Sequence, residues 1–462
     1  MRSNRHVSWV GRLGGAGLLA ALVLAAIATP ALAFEGAKQT LPNGPVLLAG
    51  QDTSSDVCGL ALVIKAGASE ESEKKAGLRA VLQELVSQTL EKRLATDENL
   101  KILDEQRSAS ASFGTNTDRS YVEVTATVTS DALETAIGAL TKAAFEPVLT
   151  DESLKAAAEA VRGQAKGKAD DPIRATFDLF REAVEGEVRD GFWVLQSEDA
   201  IKAISLDDVK SSHARWYVGR RAVMAVVSPL PADQVLRMME AALKGCPAGE
   251  AAPPQPTAVE QLTRTVTKVR ERKIEEGASQ PLAALMIGVV APGPGHADYA
   301  ATEIAREVLL GEGRGRMAQD KDLGKKFGLP QRADESPPWQ AVPRSFSPSF
   351  SPIAVLAVAN AAYVDDAAAA ITWHFQELAK HPPTADEIKA AQQRLVNRFA
   401  VSHRERQEIS TILARHEALG IGYEADAKYP EMVRKVTPEE ARRATEKYFA
   451  NVALGVQMPV SN

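Results

Sequence analysis

Of the chain's seven histidines, His6 stands near the start and the others are His213, His296, His374, His381, His403 and His416, no two of them four apart. Two imidazoles share one helical face when they lie at i and i+4, so no H-x-x-x-H metal grip exists anywhere in the sequence. His374 with Glu377 and His416 with Glu417 read as helix-surface or partly buried positions rather than ligands. Gly311-Glu312-Gly313-Arg314-Gly315-Arg316 has the glycines of a phosphate-cradling loop, but it follows a helical pattern instead of a strand and lacks the G-K-[ST] ending. It reads as a flexible loop. Cys58 and Cys246 are the only cysteines and form no C-x-x-C pair; one bridge and two small buried residues are both open.

The elements that would position any chemistry come in two similar sets. Gly59 to Gly67 reads as a buried strand that leads through an acidic loop to an amphipathic helix, Gly77 to Leu94. Leu78, Val81, Leu82, Leu85 and Val86 keep core-facing spacing on that helix, which also carries Ala80, Gln83 and Glu84. Leu282 to Ala291 is the equivalent strand in the second half, followed by a Pro/Gly loop and a helix from Asp298 to Leu310. Thr150 to Ala156 is echoed by Thr384 to Ala390, each opening a helix on a capping Thr. Ser205-Leu206-Asp207-Asp208 leads to Trp216-Tyr217 and a strand, Ala222 to Val227; Thr437-Pro438-Glu439-Glu440 leads to Tyr448-Phe449 and a strand, Val452 to Met458. Thr437, Pro438 at the first helical position and Glu440 make a strong capping box. Several matches in one order predict an α+β fold of two homologous lobes, each an antiparallel sheet backed by helices, produced by duplication and fusion. Alternation in Tyr121 to Val128 predicts a strand with one wet face.

Arg2, Arg5 and Arg12, an apolar run from Gly17 to Ala28 and Ala31-Leu32-Ala33 before Phe34 read as a signal peptide, residues 1–33. The run is shorter than the roughly 20 residues a spanning helix needs. No Cys follows the cleavage site to take a lipid, and no later segment is apolar enough to span. Periplasmic or secreted placement without a membrane span follows as an expectation. Removing three arginines and no acid moves the net charge from −6 to −9, a poor balance for nucleic-acid binding. The remaining chain is too long for one core. The expected division is a first lobe at 34–247, a Pro-rich linker at 248–263 with Pro253, Pro254 and Pro256, and a second lobe at 264–462.

Leu41-Pro42-Asn43-Gly44, the strand ending Lys65-Ala66-Gly67, and Lys75-Ala76-Gly77-Leu78 opening a helix resemble the start of pitrilysin/insulinase-type zinc peptidases, the inverzincins. The likeness extends over essentially the whole mature chain, including the duplication and Asp170-Asp171-Pro172 after a long helix. In active relatives that first helix carries H-x-x-E-H: two imidazoles and a distant Glu hold Zn²⁺, and the central Glu takes a proton from the bound water. The matching residues here are Ala80-Val81-Leu82-Gln83-Glu84, and the distant ligand falls at Gln164 with its supporting acid near Ala157. The resemblance thus implies degenerate positions at Ala80, Gln83, Glu84 and Gln164, with no catalytic residue and no metal or other cofactor. Only Glu84 retains a metal-binding oxygen.

In relatives that divide the work between two chains, an Arg-Gly-Leu-x-Tyr segment of the second lobe holds the substrate carbonyl. Phe327-Gly328-Leu329-Pro330-Gln331 resembles it, with Phe327 and Gln331 replacing the pair, although a one-residue slip puts Lys326 at the Arg position. Pro330 also removes a backbone donor. The family's substrate-binding edge strand matches Ala109 to Gly114, making Ala111, Ser112, Phe113 and Gly114 candidate peptide contacts. An ordinary edge protected by a partner is the competing reading. Pro337-Pro338-Trp339 through Pro352, with Phe346 and Phe350, is a Pro/Ser-rich excursion that either covers the second lobe or meets a partner.

Intact architecture beside an emptied site leads to the expectation of a non-catalytic subunit that pairs with a zinc-bearing homologue to form a peptide-processing chamber. The alternatives are a stand-alone or homodimeric protein that binds unfolded peptides or acts as a scaffold, and an active metallopeptidase with an atypical site.

Overall fold

The computed structural model describes residues 36–461 apart from 68–69, 72, 97–111, 119, 186–197, 254–260, 275–280, 331–335, 345–346 and 348–350. The expected signal segment, Pro254 and Pro256 of the expected linker, and Phe346 and Phe350 of the Pro/Ser-rich excursion therefore lie outside the described residues.

Strands β1 (Gly36–Thr40), β2 (Val46–Gln51), β3 (Val57–Ile64), β4 (Ser112–Thr117), β5 (Val122–Thr129) and β6 (Ala222–Ser228) form the first sheet, in the order β1-β2-β6-β3-β5-β4. Strands β7 (Val266–Ile274), β8 (Leu282–Val289), β9 (Trp339–Ala341), β10 (Ile353–Asn360) and β11 (Ala453–Ser461) form the second, in the order β7-β11-β8-β10-β9. Once β1 is set aside, the strands correspond one for one. Each sheet is antiparallel except for one pair at the same place: β2 runs parallel to β6, with Val46 opposite Val223, and β7 runs parallel to β11, with Val266 opposite Ala453. Each lobe's last strand inserts beside one of its first, a long-range pairing that no local pattern reveals.

Among the described residues the first lobe carries helices α1 (Leu78–Thr96), α2 (Leu133–Phe145), α3 (Asp151–Asp170), α4 (Pro172–Glu185), α5 (Glu198–Lys202), α6 (Leu206–Trp216) and α7 (Ala232–Leu243). The second carries α8 (Tyr299–Leu310), α9 (Arg316–Gln319), α10 (Val364–Lys380), α11 (Ala385–Ser402), α12 (Arg406–Ala418), α13 (Ala425–Lys435) and α14 (Pro438–Tyr448). Reciprocal capping boxes start α3 at Thr150, α6 at Ser205, α11 at Thr384 and α14 at Thr437, where Pro438 occupies the first turn. In each box a side chain on either side of the first turn satisfies a backbone N–H that has no helical partner.

One face of each sheet packs on its own lobe's helices, and the other is covered by a helix from the opposite lobe. Leu413, Ala414, Ala418 and Leu419, from α12 and the turn after it, close over Leu48, Ala61, Val63, Val223 and Ala225 of the first sheet. Phe180, Ala183 and Val184 of α4 close over Met286, Ala354, Leu356 and Ala453 of the second. Two glycines permit the approach: a Cβ on Gly59 would sit 2.3 Å from the backbone of Arg406, and one on Gly455 would sit 2.3 Å from the nitrogen of Phe180. The wet face expected for the β5 region is consequently dry where it matters most. Tyr121 and Glu123 are buried beneath α12, whose Arg415 lies 292 residues from Glu123 in sequence.

Candidate functional site

Helix α1 starts where the acidic loop folds back on it. The Glu71 carboxylate accepts the backbone N–H groups of Gly77 and Arg79, a favourable place for negative charge at a helix N-terminus. Burial raises the Glu71 pKa, against the pull of Arg79. The Arg79 guanidinium reaches across to the carbonyl of Asp118. Lys75, just before the helix, pairs with Asp208 of α6 at 2.6 Å.

Gln83 lies in the middle of this helix and is buried, with 4% of its surface exposed. Its Nε2 donates to the main-chain carbonyl of Glu123 at 2.8 Å, and its Oε1 accepts the Tyr217 hydroxyl at 3.1 Å. Burial pushes the Tyr217 phenol above its ordinary range, so it stays a donor. The Glu123 side chain continues the network into the second lobe, where Arg415 of α12 donates to both its oxygens at 2.8 and 2.5 Å. Asn116 donates to Glu123 at 3.1 Å, and the Arg415 guanidinium lies 5.4 Å from the Tyr121 ring centre.

The other positions that the resemblance singles out do not converge on a donor set. Ala80 offers no donor atom; Glu84 is half-buried and accepts from Gln88, one turn along, at 3.1 Å. Helix α3 packs on α1, yet Gln164 sits on its exposed side while Ala157 faces the core. Zn²⁺ requires several N, S or anionic O donors in one shell. Here the buried amide is bound at both ends by the protein, and the remote amide points to water, so these residues do not fit the metal. Among the described residues, no group of three or more His, Cys, Asp or Glu side chains is arranged to hold one.

The histidines are dispersed in separate contacts. His374 bonds Asp320 at 3.0 Å instead of Glu377, which takes His381 at 2.7 Å. His403 bonds Asp426 at 2.7 Å; burial works against its charge, but Asp426, the Phe399 carbonyl and Glu408 together raise the His403 pKa. His213 stacks on Tyr217 and bonds the carbonyl of Ala144. Cys58 and Cys246 are free and buried, and burial pushes the Cys58 thiol up to about 11.

Ser112, Phe113 and Gly114 lie on β4, the outermost strand of the first sheet, paired inward with Thr127, Ala126 and Thr125. Ala111 is outside the described residues. In the second lobe Phe327 is fully buried in the core, so its ring does not face solvent; Lys326 and Pro330 are exposed, and Gln331 is outside the described residues. Gly328 adopts φ 61° with the Tyr363 ring beside it, where a Cβ would come within 2.2 Å of that ring.

Sequence reasoning missed Glu123 and Arg415 as partners. The available signal was a lone carboxylate among Tyr121, Val122 and Val124, because a Glu in such surroundings requires a partner.

Residues 46–181 match the family described as Insulinase (Peptidase family M16), and residues 203–395 match Peptidase M16 inactive domain. Together these spans take up well over half the chain, which belongs to the insulinase-type peptidase family M16. Similar solved structures include a protease from Helicobacter pylori (14% identity, TM-score 0.74, covering 92% of this chain and 99% of that one). A peptidase M16 inactive domain from Pseudomonas fluorescens has 16% identity and TM-score 0.74, covering 92% and 98%. An M16-like peptidase from Alicyclobacillus acidocaldarius has 15% identity and TM-score 0.69, covering 93% and 99%. These likenesses concern the two-lobed fold. No curated protein matches the chain.

Proposed function

We propose that this chain is a non-catalytic M16 subunit of the periplasm that pairs with a zinc-bearing homologue and supplies one half of a peptide-processing chamber. The observation that carries the reading is the fate of Gln83. At a position where active relatives need a catalytic carboxylate, the side chain is a core strut spanning Tyr217 and the Glu123 carbonyl. The fold around it is retained: α1 still packs on α3, and β4 still presents an outer edge to which an extended peptide could add through main-chain hydrogen bonds. Retention of a large two-lobed body after loss of the chemistry is accounted for by assembly, since stable pairing takes on the order of 1,600 Å² of complementary surface.

The test is to mix the purified chain with each M16 protein of the same cell that carries an intact H-x-x-E-H helix and measure mass in solution and peptide cleavage together. Pairing predicts a 1:1 complex whose cleavage exceeds that of the zinc-bearing chain alone. Persistent monomers and unchanged cleavage would reject it; a homodimer with peptide affinity would favour the scaffold reading instead.

A further inference from the structure

The internal duplication gives the first lobe's metal position a counterpart in the second lobe. Helices α3 and α11 begin on matching capping residues, Thr150 and Thr384, and counting the same distance along each places Arg398 opposite Gln164. Helix α11 packs on α8 as α3 packs on α1, and the short edge strand β9 stands where β4 stands in the first sheet. At this counterpart a cavity of about 880 Å³ opens between α8, the loop after it and β9. That size lies within the roughly 300–1,000 Å³ common for ligand sites.

Its walls are mainly apolar, with Leu310, Met317, Leu323, Leu329, Pro338 and Trp339 among them. Most of the surrounding charges are already matched. Glu307 is buried and bound by Arg394 at 2.7 Å and Arg398 at 2.9 Å; Asp320 takes His374, and Lys325 takes Asp322. Arg306 differs. It lines the cavity half-buried, makes no ion pair among the described residues, and its Nε is buried without a hydrogen-bond partner. Lys321 adds an exposed cation at the rim and Glu312 an exposed acid, neither with an ion pair among the described residues. A guanidinium with no ion pair among the described residues, beside an apolar wall, is complementary to a carboxylate attached to an apolar body.

We propose that this second-lobe pocket binds the C-terminal carboxylate of a peptide whose last side chain is apolar, with Arg306 holding the carboxylate and the Leu/Trp wall holding the side chain. The proposal rests on the reading that the chain handles peptides, but not on pairing, because the pocket lies within one chain. Failure of either idea is therefore visible separately.

The probe is an N-terminally fluorescein-labelled hexapeptide ending in Ala-Phe, made as the free acid and as the C-terminal amide and titrated against the isolated full chain by fluorescence polarisation. The free acid should bind at least about tenfold more tightly than the amide, as expected for a hydrogen bond between charged groups. Arg306→Met, which keeps the apolar stem, should remove that preference and leave amide binding unchanged; Lys321→Ala, on the exposed rim, should weaken the acid by only about twofold. Equal binding of acid and amide by the unmodified chain, or binding of neither, would overturn the proposal whatever the variants do. So would 4-phenylbutyrate binding to the pocket while the peptide acid does not, since the site would then recognise a small apolar acid.

Discussion

Gln83 serves the core with both ends of its amide, at the position the resemblance aligns with a catalytic carboxylate. Its amide serves a carbonyl and a phenol, so removing it strands two polar groups away from water. Gln83→Leu should cost about 1–3 kcal/mol in urea unfolding, the penalty for buried groups left unmatched. Glu84→Gln, at a half-buried position whose contact is a neighbour on the same helix, should stay within about 0.5 kcal/mol. Equal effects of the two changes would mean that Gln83 is not the strut described. That Ala80, Gln83 and Glu84 offer few donor atoms follows from residue type alone. Where the Gln83 amide is anchored was not legible in the sequence, because Tyr217 and Glu123 reach it from other elements.

Helix α12 is the element through which the second lobe covers the first, and its first residue is clamped. The buried Arg406 donates to the Asp52 carboxylate at 2.9 Å, as well as to several oxygens between Asp52 and Val57. The hydrogen bond from Arg406, opposed by burial and helped by Ser54, brings the Asp52 pKa from 3.8 to about 2. A carboxylate with a lowered folded-state pKa contributes stability above its unfolded value and loses that contribution as pH falls through the folded one. Stability should therefore decline between about pH 4 and pH 2, and Asp52→Asn should flatten that part of the profile in thermal melts. An unaltered acid limb in the variant would argue against the clamp. Beneath the same helix, Gly59→Ala places a methyl group into the Arg406 backbone and should cost about 2 kcal/mol or more by chemical denaturation. Helix starts such as Thr437-Pro438-Glu440 were readable because their signals are local. The exchange of α4 and α12 between lobes was not, since an amphipathic pattern shows that a face will be covered without showing by which sheet.

At the scale of the molecule, two lobes with matching strand order and matching parallel pairs account for the repeat seen in the sequence, and membership of family M16 accounts for its form. The duplication was legible because capping residues and strands recur in order; the second-lobe cavity was not, because Arg306, Leu323 and Trp339 meet only after folding. A single copy of this chain is expected to lack the electron-pair donors that zinc chemistry needs. That expectation is tested most directly by measuring zinc bound per purified chain after equilibration with the metal, alongside peptide cleavage with and without a chelator. Substoichiometric, weakly held zinc and no cleavage by the chain alone are the expected results. One tightly bound zinc per chain with chelator-sensitive cleavage would contradict them.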